Sequence, residues 1–85
     1  MKEFTYTIKD ELGIHARPAG LLVKEATKFQ SDITIEKGEK KGDAKKIFSV
    51  MGLGVKSGEM ITIKISGADE DAASNGILSF LEQNL

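Results

Sequence analysis

The chain has 85 residues, enough for one domain around a single small core. Twelve basic against thirteen acidic side chains leave a net charge of −1, which argues against a general nucleic-acid binder. No cysteine is present, which excludes disulfides and thiol chemistry, and a single histidine argues against a zinc site. No apolar run approaches the ~20 residues that span a bilayer, and the N-terminus lacks the apolar stretch of a secretory leader. A soluble, cytoplasmic protein without membrane insertion is expected.

Lys2 to Ile8 alternates, with Phe4, Tyr6 and Ile8 on one face and Glu3, Thr5 and Thr7 on the other, and predicts a strand. The polar turn Lys9-Asp10-Glu11 follows. Gly13-Ile14-His15-Ala16-Arg17-Pro18-Ala19-Gly20 then carries the sole histidine and the sole proline. Apolar residues recur at helical spacing from Ala19 through Leu22, Val23, Ala26 and Phe29, predicting a helix from about Ala16 to Lys28. Pro18 fits its first turn, where N–H groups have no intrahelical acceptor. His15 therefore falls at or near the N-cap.

A helix N-terminus offers free N–H groups and partial positive charge, which suit an anion. Arg17 adds a planar fork that matches phosphate oxygens. Near neutral pH much of a histidine population is uncharged and nucleophilic. From residue types alone two readings stand: a histidine that accepts a phosphoryl group, or a surface histidine that merely caps a helix. Gly20 and Leu21 fall off the apolar stripe and are expected to be more exposed.

Asp32 to Glu36 alternates again, with Ile33 and Ile35 inward, and Lys37-Gly38-Glu39 reads as a hairpin turn. A short polar strand is expected over Lys40 to Asp43, as an edge. Lys40, Lys41, Lys45 and Lys46 read either as that solvated edge or as a basic patch for an acidic partner. Ile47 to Met51 lacks strand alternation and predicts a short helix with Val50 and Leu53 inward. Its Ile47, Phe48 and Met51 can be core or an exposed stripe. Met60 to Ser66 is the clearest strand, with Ile61, Ile63 and Ile65 on one face. Asp69 then fits an N-cap, with Glu70 and Asp71 in the first turn of a helix that buries Ala73, Ile77, Phe80 and Leu81. Gly76 inside that helix suggests close approach to the sheet.

The element order is βαββαβα, an α+β open-faced sandwich. The Gly13–Gly20 octapeptide resembles the active-site signature of the HPr family, the histidine-containing phosphocarrier proteins of the bacterial phosphoenolpyruvate-dependent sugar phosphotransferase system. Each of its residues matches, and the similarity runs along essentially the whole chain, including Ser66-Gly67-Ala68-Asp69-Glu70. The resemblance implies a four-stranded antiparallel sheet in the order 1-4-2-3 with three helices on one face. It implies a phosphoryl group carried on Nδ1 of His15, stabilised by Arg17 and by the backbone of Ala16 and Arg17. It implies delivery by enzyme I and onward transfer to sugar-specific enzyme IIA domains, through a patch of Gly20, Leu21, Lys24, Ile47, Phe48, Met51 and Gly54.

Those implications describe a monomer that is passed between enzymes, not an enzyme itself, and that needs no cofactor and no metal. The alternative is an HPr-like regulatory or nitrogen-branch phosphotransferase protein acting mainly through protein contacts. Many family members carry a kinase-regulated serine just before the apolar pair of the second helix; here that position is Lys46, so no regulatory serine is expected.

Overall fold

A computed structural model describes all residues from Met1 to Leu85. The elements follow the expected order: β1 (Lys2–Thr7), α1 (Ala16–Ala26), β2 (Asp32–Lys37), β3 (Lys40–Asp43), α2 (Ile47–Met51), β4 (Met60–Ser66) and α3 (Glu70–Asn84). The strands form one sheet in the order β1-β4-β2-β3, with every neighbouring pair antiparallel. This is the open-faced sandwich with helices packed on one side. Central β4 sets Ile63 opposite Phe4 on one flank and Ile35 on the other, and Ile65 likewise opposite Lys2 and Ile33.

Strand alternation has a direct consequence here. Ile61, Ile63 and Ile65 with Ile33 and Ile35 point into the core, where they meet Ala19, Leu22 and Ala26 of α1 and Ala73, Ile77 and Leu81 of α3. The opposite face stays polar; Lys64 Nζ lies 3.0 Å from Glu36 Oε2 across β4 and β2. Gly38, at φ +59, turns β2 into β3. Ile8 sits just beyond β1 yet is buried, and its backbone bonds to Gly58 and Glu59.

Several expectations change. The helix α1 ends at Ala26 rather than Lys28, because Lys28 and Phe29 donate backward to Glu25 and Ala26 and tighten the last turn. Phe29 then folds against α3: a Cβ on Gly76 would lie 2.8 Å from its Cζ. Gly76 thus makes room for an aromatic ring of the α1–β2 connection, not for the sheet. Phe80 and Val23 are half-buried.

Asp69 occupies the N-cap position of α3 but makes no side-chain capping bond. Its carboxylate accepts instead from the Gln30 and Ser31 backbone N–H groups at 2.9 Å and from Ser31 Oγ at 2.5 Å. Those donors, the serine hydroxyl first, hold the Asp69 carboxyl below the usual aspartate range. Residues far apart in the chain are joined by this contact, which ties the α1–β2 connection to the start of α3.

Candidate functional site

The loop before α1 is shaped by its backbone. Gly13 has φ +71, and a Cβ there would sit 2.2 Å from the Val55 carbonyl oxygen. Only glycine fits that approach without displacing the β4-side loop. Ile14 donates its N–H to the same Val55 oxygen at 3.0 Å and buries its side chain. Gly13 N–H donates to the Asp10 carbonyl, closing the turn. His15 is thereby delivered in extended conformation to the N-cap of α1, where its carbonyl accepts the Ala19 N–H at 2.9 Å.

The His15 side chain makes no capping bond. The backbone of His15, not its ring, caps the helix. His15 lines a surface depression of about 250 Å³ with Asp10, Arg17, Pro18, Leu21 and Asn84. Its Nε2 lies 3.7 Å from Asp10 Oδ1. Ala16 and Arg17 are exposed in the first turn, while Pro18 is buried beneath it. A partly exposed imidazole, a guanidinium and an open helix N-terminus thus share one concavity. Such an arrangement can receive a phosphoryl anion while leaving it reachable from outside.

Two lining residues gave no signal in sequence. Asp10 belongs to what reads as an ordinary polar turn, and Asn84 sits near the far end of the chain. They meet because Lys9 and Asp10 donate their N–H groups to the Leu85 carbonyl oxygen at 2.6 and 2.9 Å. The end of α3 is thereby fastened beside the histidine loop.

The expected contact patch is only partly uniform. Phe48 is 85% exposed, Leu21 44% and Met51 37%, and Lys24 and Gly54 are also exposed. Ile47 departs from the exposed stripe: it is half-buried and packs on the core, because α1 and α2 meet where a Gly20 Cβ would stand 3.7 Å from Ile47 Cδ1. Gly54 (φ +61) accepts from Lys37 Nζ at 3.0 Å, and Lys37 also reaches Glu59 Oε1 at 3.0 Å. Glu59 is held below the usual glutamate range, first by the Lys56 backbone N–H and then by Lys37.

Lys46 is exposed at the N-cap of α2 without a side-chain capping bond. Ser49 is half-buried, and its Oγ accepts from the Asp43 N–H at 2.8 Å. Of the four lysines, Lys45 is tied down, its Nζ donating to the Phe29 carbonyl at 2.8 Å, while Lys40, Lys41 and Lys46 are exposed. No group of three or more acidic, histidine or cysteine side chains is placed to hold a metal ion. No helix is long and apolar enough to cross a membrane.

Comparison with known proteins gives a consistent result. The family model described as the PTS HPr component phosphorylation site matches residues 2–83. A phosphocarrier protein HPr from Mycoplasma capricolum is 48% identical over 77 residues, covering 91% of this chain and 86% of that protein. A mycoplasma histidine-containing phosphocarrier protein superposes with a TM-score of 0.94 at 44% identity, covering 96% of this chain and 93% of that one. A crystal structure of HPr from Thermoanaerobacter tengcongensis gives 0.93 at 43% identity, covering 98% and 93%.

Proposed function

The chain belongs to the HPr family of phosphotransferase-system phosphocarriers, and from that membership we propose that His15 accepts a phosphoryl group from phospho-enzyme I and passes it to enzyme IIA domains of sugar uptake. The observation that carries the reading is the partly exposed His15 ring, which makes no capping bond and shares its depression with Arg17 at the helix N-terminus. Phosphoryl transfer asks for positioning and charge stabilisation more than for extra acids or bases. Nδ1 of His15 is the acceptor atom, with Arg17 and the Ala16 and Arg17 N–H groups receiving the new charge.

The protein acts as a monomer, a reading that the polar outer face of the sheet supports, and its place is the cytoplasm, where phosphoenolpyruvate-driven relays operate. Partners dock on Leu21, Lys24, Phe48 and Met51, with Gly20, Ile47 and Gly54 shaping the margin. Solvated apolar side chains beside a reactive group are what transient recognition uses. Incubation with phosphoenolpyruvate and enzyme I is expected to yield one acid-labile phosphate per chain. His15→Ala is expected to abolish it while changing stability by less than about 1 kcal/mol, because the lost ring caps nothing. Mass spectrometry and a melting curve on the same samples check both, and a phosphate retained by the variant refutes the assignment.

A further inference from the structure

Asp10 stands where a carboxylate can govern the chemistry of the His15 ring. Its Oδ1 is 3.7 Å from His15 Nε2. The carboxylate is not a free surface group. The same Oδ1 accepts the Leu12 N–H at 2.9 Å, the Asp10 N–H is tied to Leu85 O at 2.9 Å, and the Asp10 carbonyl accepts the Gly13 N–H at 3.0 Å. The Leu12 N–H thus holds the carboxylate, and two backbone bonds hold the turn that carries it, with Oδ1 facing one ring nitrogen. Which nitrogen of a neutral imidazole carries the proton is set by the partner that faces it. An anion facing Nε2 favours the proton there and leaves the lone pair on Nδ1.

We propose that Asp10 is a positioning residue that holds His15 as the Nε2–H tautomer, presenting Nδ1 to phosphorus and keeping the Nε2 proton in place through the transfer cycle. The inference rests on the carrier reading of His15. In the inward step the Nδ1 lone pair forms the N–P bond, and the P–N bond of an N-phosphorylated donor breaks with its electron pair going to the donor nitrogen. The phosphorylated ring then bears a positive charge with its Nε2–H beside Asp10. In the outward step the P–Nδ1 bond breaks, its pair returns to Nδ1, and the ring leaves as neutral imidazole without needing a new proton. Asp10 serves both steps through one contact. Arg17, the other charged side chain lining the depression, supplies charge for the phosphoryl oxygens rather than a proton acceptor.

Asp10→Asn separates this role from a structural one, because the amide oxygen can still accept the Leu12 N–H while the charge is gone. Long-range proton–nitrogen NMR of the labelled protein, at a pH where the ring is neutral, reads the tautomer ratio directly. Loss of the anion should shift that ratio toward the Nδ1–H form. Phosphorylation by potassium phosphoramidate, a donor with no docking surface, should slow in step with the lost Nε2–H population, and Asp10→Glu should recover part of the rate. A tautomer ratio and a rate both unchanged in Asp10→Asn overturn the proposal. If the unaltered protein forms no phosphohistidine even with enzyme I and phosphoenolpyruvate, the carrier reading fails instead, and the tautomer ratio still decides whether Asp10 governs the ring.

Discussion

Phe48 and Lys46 lie two residues apart at the start of α2 and carry different consequences. With Phe48 85% exposed, Phe48→Ala removes little buried area, so stability should change by less than about 0.5 kcal/mol. Binding to enzyme I and enzyme IIA should weaken at least about tenfold if the ring is a docking anchor. Titration calorimetry beside a melting curve measures both effects. Lys46 stands at the position where the family resemblance implies a kinase-regulated serine. With no side-chain cap there, Lys46→Ser should gain up to about 1 kcal/mol from a restored N-cap. It should also create a phosphorylation site for an HPr kinase with ATP. The unaltered chain should stay unmodified, because Ser49 is half-buried and already accepts the Asp43 N–H. A phosphoserine found at Ser49 by mass spectrometry would contradict this.

At the scale of elements, the loop before α1 is supported from outside itself. Val55 holds Ile14 through a hydrogen bond and leaves no space at Gly13. Gly13→Ala meets both a left-handed backbone and a 2.2 Å clash with Val55 O, so it should cost about 1–3 kcal/mol or more. Phosphorylation of His15 should slow with it, since the loop must shift to admit the methyl group. A thermal melt and a timed phosphorylation assay of the variant check the two outcomes. The Asp69 contact with Gln30 and Ser31 plays the corresponding role at the other end of α1, by anchoring the connection into β2.

For the molecule as a whole, ionisation determines the acid limit of stability. The Asp69, Glu59 and Glu70 carboxyls lie below their ordinary values, chiefly through hydrogen bonds that only the folded chain provides. Their contribution is present above the unfolded carboxylate range near pH 4 and is lost as pH falls through the folded values. The raised Lys2 and Lys64 have the opposite sign, contributing until pH climbs past the ordinary lysine value of 10.5. The melting temperature should therefore be nearly flat from about pH 5 to 9 and fall below about pH 4. Asp69→Asn should lower it at neutral pH and flatten the acid limb; calorimetric scans across pH test this.

The order of elements and much of the core followed from periodicity, though Ile14, Ala44, Val55 and Leu85 are buried without a periodic signal. Ile61, Ile63 and Ile65 alternate and Ala19, Leu22 and Ala26 recur at helical spacing, and both patterns reflect which face each element buries. The site was legible where its residues are contiguous: Gly13 to Gly20 writes a turn, a cap and a first helical turn in one stretch. Contacts between distant segments were not legible. Asp10 and Asn84 line the depression with His15 because Lys9 and Asp10 donate to Leu85 O, and Asp69 accepts from Ser31 instead of capping its helix. Gly76 opens onto Phe29, and Ile47 sinks against α1, for the same reason. Local patterning encodes which face of an element is apolar; which distant backbone or side chain it meets is decided only when the helices settle on the sheet, where packing and hydrogen bonding between remote segments outweigh local preference.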